Sequence, residues 1–271
     1  MTKKVNSWRC TLNERLKILK LLEDGKINSD EAARLLEALS QSETKHRKGQ
    51  HRMWASIETI PEVIATAIST SFKHSVSKES LQFPRKKKIE FKGISGDLTI
   101  TGDTKDTIEI EKDGFTKIQE IDDALGIKAI SGDIKIRTPR TTDFIIKGIS
   151  GDLEITHLDG KIEIASVSGS IIGKELSGSF IGNFVSGDVD LDYQKVDNIK
   201  IKSKTSDITL RLDKKVEAGI EAETKDGEIT CEFELKEEEK KGNWLKGVIN
   251  KPKAKIEIKN EHGDISIKTR R

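Results

Sequence analysis

The sequence is poor in aromatic residues, with one Tyr, three Trp and eight Phe among 271 residues. Large aromatic side chains usually fill the irregular core of a compact globular domain. Aliphatic residues make up most of the apolar content instead, and charged residues account for 35% of the chain. This composition favours a thin core that is built from many similar aliphatic layers.

Cysteines and long apolar runs are also scarce. The two cysteines, Cys10 and Cys231, lie far apart in the chain, which argues against a disulfide framework. The N-terminus has basic residues without an apolar stretch after them, and no run of about 18 apolar residues follows. We therefore expect a cytoplasmic protein, peripheral at the inner face of the membrane if it binds there.

The sequence lacks the residue arrangements that most catalytic sites need. The five histidines match no zinc-ligand spacing, and no phosphate-binding or dinucleotide-binding glycine motif occurs. Charged residues alternate along the predicted strands, which is typical of solvated faces rather than of a polysaccharide-cleaving site. We predict that the protein is not an enzyme and that it uses no cofactor and no metal.

Residues 1–40 are predicted to form a small helical hairpin. Thr11 and Glu14 form a capping box, in which each side chain satisfies a backbone N–H at the helix start. Leucines at helical spacing follow, and Gly25 ends the first helix. Asn28 begins a second helix in the same way. This module would precede the rest of the chain as a separate domain.

Residues 41–88 are predicted to be a basic linker plus an amphipathic helix. The helix has an apolar stripe with Trp54 beside it, made of Met53, Ile57, Ile60, Ile64, Ile68 and Phe72. The segment ends in a basic run, Arg85, Lys86, Lys87 and Lys88. Two interpretations stay open, because such a helix can cover the open end of a repeat domain or bind an anionic membrane surface or protein partner.

Residues 89–271 repeat a Ser-Gly-Asp motif that is followed by an apolar-polar-apolar triplet. The repeat returns after about 18 residues, with a glycine near each half-repeat, which predicts a β-solenoid with two strands per coil. Glycine would supply the positive φ at the corners. The predicted corner glycines are Gly96, Gly132, Gly151, Gly160, Gly169, Gly178, Gly187 and Gly263. The fold class is therefore mainly β, preceded by a small α-helical module.

Stacked coils would align one apolar residue per repeat into a column. The column is predicted to contain Leu98, Ile134, Leu153, Ile171, Val189, Ile208, Ile229 and Ile265. The recurring Asp residues favour turns, because their carboxylates bond nearby backbone N–H groups. They lack the paired glycines and nine-residue spacing of calcium-binding β-rolls, so we interpret them as turn residues.

An insertion at residues 236–254 interrupts the repeat. It begins with a charged run and continues with Trp244, Leu245, Val248 and Ile249 at helical spacing. An exposed Trp in a loop favours a contact site. The alternative is that the insertion folds back over the last coils.

Two segments resemble known families. The stretch from Ile18 to Asn28, with Ala32-Ala33-Arg34-Leu35-Leu36, is similar to the SHOCT-like helical hairpin. The Ser-Gly-Asp repeats resemble the toast-rack β-repeat domain, earlier described as a candidate adhesin. Together these resemblances imply a role in cell-envelope stress signalling or membrane organisation, beside membrane proteins. They carry over no catalytic residue.

Three functional interpretations follow. The first is a non-enzymatic scaffold or sensor that contacts the membrane or envelope membrane proteins through the N-terminal region, whose net charge is positive while the remainder is acidic. The second is a surface adhesin, which would require export. The third is a nucleic-acid-binding regulator, which is disfavoured because the second predicted helix is mostly acidic.

Overall fold

The computed structural model describes residues 79–270, and every regular element in this part of the chain is a β-strand. The predicted helical module and the predicted helix at 53–72 lie outside the described residues. The strands are β1 (Glu79–Pro84), β2 (Lys88–Gly93), β3 (Leu98–Asp103), β4 (Thr107–Lys112), β5 (Thr116–Ile121), β6 (Ala124–Ala129), β7 (Ile134–Pro139), β8 (Asp143–Ser150), β9 (Leu153–Thr156), β10 (Lys161–Ser168), β11 (Ile171–Ser186), β12 (Val189–Lys202), β13 (Ile208–Leu212), β14 (Ala218–Asp226), β15 (Ile229–Cys231), β16 (Lys236–Lys241), β17 (Trp244–Ile249), β18 (Ala254–His262) and β19 (Ile265–Thr269).

These strands form one continuous sheet that curls into two walls around a shared core. Wall A has the order β1-β4-β7-β3-β9-β11-β12-β13-β19-β15. Wall B has the order β5-β6-β2-β8-β10-β11-β12-β18-β14-β17-β16. The long strands β11 and β12 bend and contribute to both walls.

The predicted repeat is confirmed. Ile162 of β10 pairs with Phe144 on one side and with Phe180 on the other, a step of 18 residues each way. Most strands alternate buried and accessible residues, which is the period expected when one face of each wall meets the core. The predicted mainly β class is therefore also confirmed for residues 79–270.

All members of the predicted apolar column are at most 3% exposed. They pair across neighbouring strands of wall A, for example Leu98 with Leu153 and Ile171 with Val189. Each aliphatic side chain that is buried in this way contributes about 1.5–3 kcal/mol. The membership of the column is as predicted.

The stacking order differs from the order along the chain at both ends of the domain. The coil of β2 and β3 lies between the coils β6–β7 and β8–β9. Likewise β18 and β19 lie between β12–β13 and β14–β15. The physical reason is that backbone hydrogen bonds between strands are the same for every coil. A coil that comes later in the chain can therefore insert between two coils that precede it.

Antiparallel strands close both ends. At one end β4 pairs antiparallel with β7, and β5 with β6. At the other end the hairpin β16–β17 pairs antiparallel with β14. The segment around Trp244 is thus a strand rather than the helix that its spacing suggested, because Leu245, Gly247 and Ile249 alternate inward onto β14.

The β domain begins earlier than the predicted boundary at residue 89. Strand β1 lies before the basic run and pairs with β4. Its alternating Leu81 and Phe83 are a strand pattern, but Pro84 and the following charges indicated a linker. Proline is tolerated there because β1 is an edge strand among the described residues.

Candidate interaction surface

Acidic side chains form a row along one corner of the domain, interrupted at Ser170, and this row is here called the aspartate row. Its members are Asp113, Asp133, Asp97, Asp152, Asp188, Asp207, Asp264 and Glu228. The backbone N–H of Asp97 donates to Oδ1 of Asp133 (3.0 Å), and that of Asp152 donates to Oδ1 of Asp97 (2.9 Å). The N–H of Asp264 donates to Oδ1 of Asp207 in the same way (2.9 Å). Each such carboxylate therefore joins two successive coils.

The corner glycines are stacked against the backbone of the neighbouring coil. Gly132 has a φ of 97° and Gly96 one of 115°, as predicted for corner glycines. Gly169, Gly178, Gly187 and Gly263 also have a positive φ.

Gly151 and Gly160 do not have the positive φ that was predicted for them. A Cβ at Gly151 would overlap the carbonyl oxygen of Gly96, and one at Gly160 would lie 2.6 Å from the carbonyl oxygen of Thr142. Glycine is required there because neighbouring coils approach closely, and backbone strain is not the reason.

A row of lysines, here called the lysine row, crosses the outer surface of wall B beside this corner. Its members are Lys117, Lys128, Lys92, Lys147, Lys202 and Lys259. Lys128 and Lys147 pair directly with Lys92 from either side, and Lys117 pairs with Lys128. Neighbouring strands are about 4.8 Å apart, and like charges directly opposite each other are destabilising. The row is thus an electrostatic cost.

Several other lysines on wall B have acidic partners. Lys88 Nζ lies 2.6 Å from Glu90, and Lys200 Nζ lies 3.4 Å from Glu257. The hydrogen bond from Lys88, with the nearby charge of Lys92, lowers the pKa of Glu90 against the opposing effect of burial.

In the lysine row only Lys259 has such a partner among residues 79–270, Glu223 at 3.6 Å. The ammonium groups of the other five lysines have no carboxylate within ion-pair distance in the described part of the chain. These ammonium groups remain available to anionic groups outside the domain.

The two rows are linked by a constant offset of five residues. The pairs are Lys92 and Asp97, Lys128 and Asp133, Lys147 and Asp152, Lys202 and Asp207, and Lys259 and Asp264. In the one coil whose corner has Ser170 in place of an acid, the lysine position is Ala165. This signal is present in the sequence, but our sequence analysis did not identify it, because it becomes a surface only when the coils stack.

The predicted basic run is largely neutralised within the domain. Each of its four cations has an acidic partner at 2.6–3.0 Å. The partners of Arg85, Lys86, Lys87 and Lys88 are Asp106, Glu120, Asp123 and Glu90, respectively. The hydrogen bond and charge of Asp123 raise the pKa of Lys87. This run is therefore a weaker candidate for external anions than the lysine row.

Trp244 is half-buried and pairs with Glu223 of β14. As the first residue of β17, it lies in the same surface row as Lys202 and Lys259. The other predicted contact residues, Met53, Trp54, Ile57, Ile60, Ile64, Ile68 and Phe72, lie outside the described residues.

An open cleft of about 570 Å³ is lined by the connection between β13 and β14. Arg270 lines it and places Nε 2.8 Å from Oδ1 of Asp192. Burial raises the pKa of Asp192, while Arg270 acts in the opposite direction.

Residues 79–270 contain no group of three or more His, Cys, Asp or Glu side chains placed to hold a metal ion. The same part of the chain has no helix that is long and apolar enough to cross a membrane.

Solved structures resemble this chain at low identity, and no curated protein matches it. A candidate cell adhesion protein from Clostridium sporogenes is 17% identical, with a TM-score of 0.39, and the match covers 72% of this chain and 100% of that one. A candidate adhesin from Bacteroides fragilis is 16% identical, with a TM-score of 0.29, over 71% of this chain and 98% of that one.

Two family models match the chain in sequence. Residues 13–44 match a SHOCT-like domain, in agreement with the resemblance of the predicted helical hairpin. Residues 48–268 match the Toastrack model DUF4097, which includes nearly all of the described strands. Because this match spans most of the sequence, the chain belongs to the Toastrack DUF4097 family.

Proposed function

We propose that this protein is a non-enzymatic scaffold or sensor of the cell envelope, located at the cytoplasmic face of the membrane. The observation that carries the proposal is the order of its modules, a SHOCT-like domain followed by a Toastrack domain. The resemblance of this pair to envelope-stress proteins supports a role beside membrane proteins.

The geometry of the β domain supports a binding function. Its charged side chains lie in long rows on accessible surfaces, such as the aspartate row and the lysine row. Rows of this kind suit an extended partner, whereas catalysis requires a few groups that converge on one reacting atom. The domain would act as a rigid platform whose surfaces bind other molecules.

The membrane contact is proposed to lie in residues 53–72. The apolar stripe would enter the headgroup boundary, with Trp54 at its edge. The cations that attract the anionic surface would be Lys45, Arg47, Lys48 and Arg52, each contributing about 1 kcal/mol at low salt. The run from Arg85 to Lys88 would add less, because its members already have acidic partners.

Vesicle flotation of the full-length chain tests this proposal. The protein should float with phosphatidylglycerol-containing vesicles at low salt and much less with pure phosphatidylcholine. Ile64→Asp should abolish flotation, because it places a charge in the centre of the apolar stripe. Thr66→Asp is the matched control, since it adds the same charge on the predicted polar face and should leave flotation nearly unchanged.

Two results would contradict the proposal. One is a full-length protein that stays at the bottom of the gradient with anionic vesicles at low salt. The other is an equal loss of flotation in both Asp variants. Fractionation of cells would separately test the cytoplasmic location against the surface-adhesin alternative.

A further inference from the structure

The lysine row and the aspartate row are two parallel lines of opposite charge with the same repeat. Both run along the stacking direction, and both advance by one strand separation per coil. The lysine row lies near the end of each wall B strand, and the aspartate row lies across the next corner. The lysine row is interrupted at Ala165 and Asn183, and the aspartate row at Ser170. On either side of these positions, rows with equal spacing and opposite charge can pair.

In most coils the charges of the two rows correspond. Five coils have both a lysine and an aspartate at the five-residue offset. The coil of β10 has neither, since Ala165 and Ser170 occupy the two positions. The coil of β11 and β12 has Asn183 and Asp188 at these positions, and the coil of β14 and β15 has Glu223 and Glu228. A lysine and an acid therefore occur together in five coils and are both absent from one.

They do not interact within one copy of the chain. No lysine of the row lies within 4.0 Å of a carboxylate of the aspartate row in residues 79–270. The corner turn separates them, and one oxygen of several aspartates is already bonded to the next coil's backbone. The second carboxylate oxygen and the lysine ammonium are thus left to an external partner.

We infer that the partner is a second copy of this chain, in a parallel dimer whose two-fold axis runs along the stacking direction. Rotation about such an axis exchanges the two rows across the interface and leaves each coil at its own level. The lysine row of one copy then faces the aspartate row of the other, and the reverse holds at the same time. An interface of this kind is isologous, which is the commonest arrangement in soluble oligomers.

This symmetry also accounts for the offset. Because the coils stay at their own level, Lys92 of one copy meets Asp97 of the other, and Lys147 meets Asp152. In the neutral coil, Ala165 of one copy faces Ser170 of the other. A two-fold axis across the stacking direction would instead place lysines opposite lysines, which is repulsive.

Two coils do not fit the pairing. The coil of β11 and β12 has Asn183 at the lysine position, so the dimer lacks an ion pair with Asp188 there. The coil of β14 and β15 has Glu223 and Glu228 at the two positions, so the dimer brings acids together there. Glu223 already has Lys259 of its own copy at 3.6 Å. This coil lies beside the closing hairpin, at the end of both rows.

The dimer is expected to be sensitive to salt. Exposed ion pairs contribute little individually, and salt screens them. Sedimentation velocity of the full-length chain should show a dimer at about 0.05 M salt that shifts towards monomer at about 0.5 M.

Charge reversal distinguishes the rows from the overall charge. Lys92→Glu with Lys147→Glu should weaken association at least tenfold at low salt. The matched control is Lys135→Glu with Lys268→Glu, which changes the net charge equally on the outer surface of wall A and should leave association unchanged. Asn183→Lys should tighten association, because it adds a lysine in the coil that already has Asp188. Melting temperatures would verify that each variant is folded.

The dimer inference and the membrane proposal can fail separately. A full-length chain that is monomeric at low salt and high concentration would overturn the dimer. So would a dimer that responds equally to both double variants. If the wall B lysine variants lost vesicle flotation while association stayed unchanged, the lysine row would be a lipid contact and the dimer inference would be wrong. Loss of flotation in Ile64→Asp alone leaves the dimer inference standing.

Discussion

The corner glycines are needed for two different physical reasons. At Gly96 and Gly132 the backbone has a positive φ that other residues rarely adopt, and a Cβ would also overlap a carbonyl oxygen of the neighbouring coil. At Gly151 and Gly160 the backbone is unstrained, but the carbonyl oxygen of an adjacent coil occupies the place of a side chain. Sequence spacing predicts the glycines of both classes without distinguishing them, because the second reason depends on how closely two coils approach.

Gly160→Val should destabilise the domain by about 1–3 kcal/mol, the range for overpacking a closely packed site. Its Cβ would lie 2.6 Å from the carbonyl oxygen of Thr142, and both coils would have to separate. Urea unfolding of the full-length chain would measure the change.

Lys161→Val is the matched control for that substitution. The Lys161 side chain is exposed and pairs with Glu163 at the surface, and surface ion pairs contribute at most about 1 kcal/mol. Valine is also well suited to a strand. Equal unfolding midpoints for the two variants would contradict the close approach of the coils at Gly160.

At the scale of single strands, position in the stack decides how much a buried side chain contributes. Ile171 has Leu153 and Val189 beside it on neighbouring strands. Among the described strands, Ile229 belongs to the last strand of wall A and pairs on one side with Ile265. A cavity at Ile171 therefore has less freedom to collapse than one at Ile229.

Ile171→Ala should cost about 2–5 kcal/mol, and Ile229→Ala should cost clearly less. The control is Ile172→Ala, one residue further along the same strand, where the side chain is 39% exposed. Its cost should be the smallest of the three. A larger loss for Ile229→Ala than for Ile171→Ala, measured by urea unfolding, would contradict the stacking order.

Strand β16 is an edge strand whose side chains oppose pairing with another chain. All six of its residues, Lys236 to Lys241, are charged and exposed. Charged edge strands discourage the addition of another strand. The charged run was recognised in the sequence, but its strand conformation was not, because β16 is defined by its pairing with β17.

For the molecule as a whole, the network of surface ion pairs predicts a loss of stability in acid. Lys88 lowers the pKa of Glu90 and Lys87 lowers that of Asp123. A carboxyl whose pKa is lower in the folded state binds fewer protons there, so its stabilising contribution is present above about pH 4 and is lost as the pH falls through the folded pKa. The urea midpoint should therefore be lower at about pH 3 than at pH 7.

Glu90→Gln should reduce this difference between the two pH values, because one of the shifted carboxyls is removed. Burial raises the pKa of Asp192 in the folded state. Its contribution to the free energy of unfolding therefore becomes more favourable as the pH falls, opposite to that of Glu90. A midpoint that stays constant or rises on acidification would show that the ion pairs do not dominate the pH response.

The repeat, the residues of the core column and most of the corner positions can be predicted from the sequence alone. These depend on local rules, since alternation places one face of a strand inward and glycine marks the turns. The tertiary structure was needed to show which coils are neighbours, how the ends close, and which charges share a row. Backbone hydrogen bonds pair any strand with any other, so similar repeats do not specify their own order. The lysine row exists only because β5, β6, β2 and β8 became neighbours, and that choice depends on contacts between residues far apart in the chain.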